Sequence, residues 1–252
     1  MKIAVVIPVL NEAAHLQRTC SSLLSQTLSP DRLVIVDGGS CDGTTDIARR
    51  FTSESLVVPG RGRGGQIAAG TAVCSEDVIL VAHADMVFPP NALESVQHFL
   101  LRHPACPGGC LGHRFENLGR VYRAIEWWDR RRAMRGHSFG DQGQFFRRDT
   151  LEQVGGFPEL PLMEDVELSR RLRWLGRPAY LNVPVIVSSR RYEQLGWSSV
   201  AWRNWQLRRV FRLEGEAACW RLFQNYYGIT QEPRKNKLPT SSESAVGSGG
   251  GA

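Results

Sequence analysis

Polar side chains stand at the ends of four successive apolar runs. KIAVVI is followed by Pro8, Asn11 and Glu12; LVIVD ends in Asp37-Gly38-Gly39-Ser40; the run from Ser55 leads into Arg61 to Gln66; DVILVA ends in His83-Ala84-Asp85. Singly, each has an ordinary structural use, since Asn11 can cap a helix and Asp37 a turn. Their recurrence at equivalent strand ends points to a ligand crevice, because open α/β sheets bind beyond the carboxyl ends of their strands. His83 and Asp85, two apart on a strand, would share a face. One imidazole and one carboxylate there can hold Mg2+ or Mn2+ whose other ligands are phosphate oxygens and water. The guanidinium forks of Arg61 and Arg63 suit a diphosphate. Glu164-Asp165 opens a helical pattern, where acidic residues complement the helix dipole; the competing use is as a general base beside a substrate hydroxyl.

Other groupings offer other chemistry. Gly60, Gly62 and Gly65 in GRGRGG satisfy G-x-G-x-x-G, with Asp85 twenty residues on, as an NAD(P)-dependent oxidoreductase would require. That loop follows the shortest strand rather than a firm first one. Cys106, Cys110 and His113, with His103 before them, have zinc-ligand chemistry but fit no strong zinc spacing. Trp127, Trp128, Trp197, Trp202, Trp205 and Trp220 interleave with Arg130, Arg131, Arg203, Arg208 and Arg209. Such material suits an anionic membrane surface, core packing or acceptor stacking. No nucleic-acid-binding module accompanies the arginines, so no nucleic-acid partner is expected.

These residues need a scaffold of strand-helix units. Strands are predicted at 2–7, 33–37, 55–58 and 77–82, with helices over about 16–24, 44–50, 66–73 and up to 101. From Pro104 the elements shorten: strands at 109–115, 144–147 and 179–187, helices at 118–135 and 163–175, and helix from 195 to 227. The 252 residues, 42% of them apolar, suffice for a substantial core. One domain is expected over 1–230, with a nucleotide-binding half at 1–103, an acceptor and catalytic half at 104–194 and a helical segment at 195–230. Residues 231–252, rich in Lys, Ser and Gly, read as a disordered tail. The net charge of +6 is carried almost wholly by arginine, and six cysteines without a CxxC pair suit reduced thiols. With no apolar run near ~20 residues and no signal-peptide pattern, a cytoplasmic protein is expected, at most peripheral at an inner membrane surface.

In order and approximate spacing, VVIPVLNE, VDGGSCDGT, the basic glycine-rich stretch before AAG, HAD and LMEDVELSRRL resemble family 2 glycosyltransferases of the GT-A fold. GDQGQFFRR, GGFPELPLMEDVEL and SSRRYEQLG narrow the resemblance to the bacterial transferase 2 subgroup associated with radical-SAM and selenoprotein-domain genes. The fold this implies is α/β, a GT-A-type three-layer α/β/α arrangement around a mostly parallel central sheet. The resemblance implies that Pro8, Asn11, Glu12, Asp37 and Gly38 surround a nucleoside, usually uridine, with Asp37 on the base. It places Arg61, Arg63, Gln66, Ala84 and Asp85 near the donor, and makes Asp85 the last aspartate of a DxD motif whose first position is here His83. A divalent Mn2+ or Mg2+ would sit at Asp85 and His83. Asp165 would be the base of an inverting displacement, with Glu164 beside it. Gly140, Asp141 and Gln142 would border sugar and acceptor, and Arg190 and Arg191 would close over the phosphates. The implied partner is a nucleoside-diphosphate sugar, with the acceptor open among small molecules, lipids and glycans. A sensor that binds the same donor without turnover is the non-catalytic alternative.

Overall fold

The computed structural model describes residues 1–227; the expected tail lies outside them. Seven elements build the first half: β1 (Ile3–Val9), α1 (Ala13–Leu24), β2 (Arg32–Asp37), α2 (Thr44–Phe51), β3 (Ser55–Val57), α3 (Gly62–Ala72) and β4 (Val78–Val81). Strand β1 lies between β2 and β4, with β3 outside β2, and every pairing is parallel. All seven residues of β1 are buried, as a continuous apolar run in the middle of a parallel sheet must be. Its period of two divides the core. Ile3, Val5, Ile7 and Val9 pack with Leu16, Cys20 and Leu23 of α1, whereas Ala4 and Val6 pack with Ile67 of α3.

The second half continues the same sheet. It contains β5 (Met86–Val87), α4 (Ala92–Arg102), β6 (Gly108–Phe115), α5 (Arg120–Ala133), a 3-10 turn (Gly140–Gln142), β7 (Gln144–Arg147) and α6 (Arg148–Gln153). Then follow α7 (Glu164–Leu175), β8 (Ala179–Val187), α8 (Arg190–Leu195), α9 (Trp197–Glu214) and α10 (Ala217–Tyr227). The strand order is β3-β2-β1-β4-β7-β6-β8-β5. Strand β7 enters antiparallel between β4 and β6, β6 and β8 are parallel, and β5 closes the edge antiparallel to β8. Phe145 and Phe146 of β7 are both fully buried, one on each face, so this short strand joins the two cores. Helices α1 and α4 line one face while α3 and α7 line the other, which is the expected three-layer α/β/α arrangement.

Two expectations change. His83 and Asp85 do not extend β4; they lie in the turn between β4 and β5, where the Met86 N–H donates to the His83 carbonyl at 3.3 Å. Strand alternation therefore does not decide which way they face. The glycine-rich stretch is also not an open loop, because α3 begins at Gly62, four residues earlier than predicted. A Cβ on Gly64 would lie 2.2 Å from the Leu160 carbonyl oxygen, and one on Gly62 would lie 2.7 Å from the Pro161 Cα. These glycines admit the chain segment 158–161, which crosses the start of α3 and takes the Gly64 N–H at 3.1 Å. Backbone fills the space that a dinucleotide pyrophosphate would need, so the oxidoreductase reading of GRGRGG is withdrawn.

Gly64→Ala forces this crossing apart, and overpacking of that kind costs about 1–3 kcal/mol. Urea unfolding should show the loss, and an unchanged midpoint would mean that the crossing is dispensable.

Candidate active site

The strand-end loops after β1 and β2 are stitched together by their own polar groups. The Asn11 N–H donates to Ser40 Oγ at 2.9 Å, the Cys41 N–H to Asn11 Oδ1 at 3.0 Å, and the Glu12 N–H to Thr44 Oγ1 at 2.9 Å. Asn11 thus links loops instead of capping α1, and it holds a left-handed φ of 55° to do so. Asp37 is fully buried. Its Oδ1 accepts from the Gly39 and Ser40 N–H groups at 2.9 and 2.7 Å, and its Oδ2 accepts from Thr45 Oγ1. Burial opposes its ionisation, but the hydrogen bonds from Thr45, Ser40 and Gly39 outweigh that and hold the carboxyl below its usual range. Gln66 is likewise committed, donating from Nε2 to the Val9 and Val36 carbonyls at 2.8 and 2.9 Å. Asp37 and Gln66 therefore spend these polar atoms on the scaffold. Pro8, within β1, is also buried, as is Ala84, whose carbonyl takes the Thr19 hydroxyl at 2.6 Å. Gly38 lies half-buried over the Gln66 amide.

Charged groups converge beside this cradle. Arg190, at the start of α8, reaches across to Glu12 at 3.4 Å and to His15 Nε2 at 2.9 Å. Burial raises the half-buried Asp85 carboxyl, against the attraction of Arg190, His15 and Arg63. Glu12 is raised by burial too; Arg190 opposes this and Asp85 adds to it. His83 turns towards Gly140, where an added Cβ would lie 2.7 Å from its Nε2. Burial, with the Arg63 charge, pushes this imidazole down to about 3, so the ring is neutral. Its Nε2 is inaccessible and has no hydrogen-bond partner. Arg61 pairs with Glu159 and Arg63 with Glu164, so each arginine expected at a diphosphate is met by a carboxylate from the second half. Arg191 is exposed and acts electrostatically on Tyr192.

Glu164 and Asp165 start α7 immediately after Met163, whose φ of 64° is left-handed. Such backbone costs about 1–3 kcal/mol and persists where surrounding structure imposes it. Asp165 is half-buried; its Oδ2 accepts the Gly140 N–H and its Oδ1 the Val166 N–H, each at 2.8 Å. Gln144 braces it from behind, donating from Nε2 to the Asp165 carbonyl at 3.2 Å and to Ser138 Oγ at 2.8 Å. Gly140 thus sits between His83 and Asp165, and the close approach leaves no room there for a side chain.

The part of the chain that carries β1, β2 and β4 matches a known sequence profile. The profile of "Glycosyl transferase family 2" covers residues 4–151. The chain belongs to glycosyltransferase family 2. Glycosyltransferase AglE of Haloferax volcanii is 25% identical over 174 residues, covering 62% of this chain and 56% of AglE. Matched segments span about half or less of the length of the curated relatives. Mannosyltransferase PcManGT from Pyrobaculum calidifontis, solved with GDP-Man and Mn2+, superposes with a TM-score of 0.62 at 19% identity, covering 92% of this chain and 66% of that one. Glucosyl-3-phosphoglycerate synthase from Mycobacterium tuberculosis, solved with Mg2+ and UDP, gives 0.56 at 19% identity, covering 91% and 80%. The fold of this family 2 chain is GT-A.

Some residues escaped the sequence reading of this family 2 chain. Gln144 was legible only as the start of a strand. Among the described residues, the Cys106, Cys110, His113 and His103 grouping does not assemble. His103 stacks on Phe99 at 4.2 Å, whereas His113 instead meets Asp129 of α5 and Asp141 of the 3-10 turn. Gln142 is buried, with its Oε1 taking the Phe139 N–H at 3.0 Å. No local signal in the sequence connects Asp129 with His113.

Burial raises the Glu164 carboxyl from 4.5 to about 7, even against Arg63. The folded state thus holds this proton more tightly than the unfolded chain. Its contribution to stability is fully present below about 4.5 and is lost as pH rises to about 7, on the order of 3 kcal/mol. Glu164→Gln should therefore lose less stability than wild type between pH 5 and pH 8 in chemical denaturation. Equal losses would remove Glu164 as the titrating group.

Proposed function

We propose that this chain is an inverting glycosyltransferase that moves a sugar from a nucleoside-diphosphate donor, UDP-linked by preference, to an acceptor hydroxyl. The observation that carries this reading is Asp165: a half-buried carboxylate at the crevice, oriented by two backbone N–H groups. In the proposed step, the acceptor oxygen bonds to the anomeric carbon as the carbon–phosphate oxygen bond breaks. The electron pair leaves with the diphosphate and the acceptor proton passes to Asp165. Support for a uridine or guanosine donor comes from the solved relatives with UDP and GDP-Man. In this reading the cradle over Pro8, Asn11, Glu12 and Gly38 takes the nucleoside, and buried Asp37 sets its shape. Arg190 and Arg191 close on the phosphates, while the turn of Gly140, Asp141 and Gln142 borders the sugar and acceptor through its backbone, since Asp141 Oδ1 and the Gln142 side chain are buried behind it.

A divalent ion fits beside the donor. Asp85 is a half-buried carboxylate that its neighbours compensate only in part, and His83 offers an unpartnered neutral nitrogen. Mg2+ and Mn2+ sites of this kind need one or two protein ligands, with phosphates and water supplying the rest. Asp85 and His83 would hold the ion, which supplies charge neutralisation for the departing diphosphate. Arg61 and Arg63 would join by exchanging Glu159 and Glu164 for phosphate oxygens.

We also assign a peripheral membrane contact to the tryptophan-rich helices. Trp128 of α5 and Trp202 of α9 are 63% and 58% exposed, which excludes core packing for these two. Arg131 lies over Trp127 at 4.0 Å and Arg209 over Trp205 at 5.4 Å, interleaving apolar rings with cations as an anionic interface favours. No helix among the described residues is long and apolar enough to cross a membrane.

Asp165→Asn should lower turnover by ~10² to 10⁴ and leave UDP binding intact in calorimetry. A variant with full turnover removes Asp165 from the role, and a wild type that binds donor without transferring or slowly hydrolysing it favours the non-catalytic sensor. Asp85→Ala should weaken donor binding in Mn2+, and an unchanged titration would count against the metal assignment. Replacing Trp128 and Trp202 by Ala should reduce cosedimentation with phosphatidylglycerol vesicles, whereas equal recovery would dismiss the membrane contact.

A further inference from the structure

Behind the 3-10 turn lies a buried polar cluster whose members come from three separate elements. His113 of β6, Asp129 of α5 and Asp141 each offer one ligand-type atom, and these atoms lie within 4.8 Å of one another. His113 and Asp129 are only 7% and 8% exposed. Both ring nitrogens of His113 and Oδ1 of Asp141 are inaccessible and lack a hydrogen-bond partner, and His113 Nε2 is 3.6 Å from Asp129 Oδ2, too far for a hydrogen bond. A buried polar atom left without a partner costs about 1–3 kcal/mol, and several together need a common compensation. Arg132 donates to Asp129 Oδ1 and leaves Oδ2 facing the imidazole, as an outer contact does when it orients a ligand carboxylate.

We propose that His113, Asp129 and Asp141 bind a divalent first-row transition metal, at a site separate from the donor diphosphate. One imidazole and two carboxylates suit Zn2+ or Mn2+ better than Ca2+ or Mg2+, which prefer oxygen alone. Such an ion ties β6, α5 and the 3-10 turn at one point. Since Gly140, next to Asp141, donates to Asp165, the ion also steadies the turn that aims this carboxylate.

The test uses the full chain, stripped with chelator, loaded with Zn2+ and dialysed without nucleotide, with metal content read by plasma emission. About one zinc per chain is expected to remain and to raise the melting temperature. His113→Gln and Asp129→Asn should each lose it, whereas Asp85→Asn should keep it. Wild type loaded with Co2+ should absorb in the visible without a thiolate charge-transfer band, a readout that needs no variant to fold. No retained zinc in wild type, zinc retained by both cluster variants or lost from Asp85→Asn, or a thiolate band would overturn the proposal.

Discussion

Because segment 158–161 crosses within hydrogen-bond distance of the first turn of α3, Glu164 and Asp165 reach the mouth of a crevice built by distant strands. The two carboxylates are about a hundred residues from Arg63 in sequence, yet Glu164 pairs with it. Without glycine at 62 and 64 the chains could not approach this closely. The basic glycine-rich stretch thus serves helix-to-loop contact first. Its arginines pair with Glu159 and Glu164 of the segment that this contact brings alongside.

Electrostatics follow from the same geometry. A fully buried carboxylate beside a half-buried one is unfavourable unless cations compensate it. Arg63 does so for Glu164 and adds to the burial that keeps His83 neutral. Arg190 answers Glu12 and Asp85 from the opposite side. In the proposed function, a bound diphosphate would let the same cations change partners.

The first half of the sheet was legible because its strands are buried on both faces and its helices are regularly spaced. β7 and β8 fall where the residue pattern puts them, at 144–147 and 179–187. β5 was not legible, since two residues carry no period, and neither was the antiparallel entry of β7, which long-range pairing decides. At the site, Glu164-Asp165, His83 and Asp85 were legible as residue types. That Asp37 and Gln66 spend their polar atoms inside the scaffold was not, because a buried hydrogen-bonded carboxylate and a ligand-binding one look alike in sequence.

The residue order alone determined the apolar periodicity, the strand-end placement of polar groups and the family they resemble, since these depend on neighbours in the chain. Tertiary structure alone decided that Gly140 would stand between His83 and Asp165, that Gln144 would brace the latter, and that His113 would meet Asp129 and Asp141 rather than the nearby cysteines. Each of these contacts joins segments whose separation in the chain says nothing of their distance in space, and only the closing of the sheet around β7 brings them together.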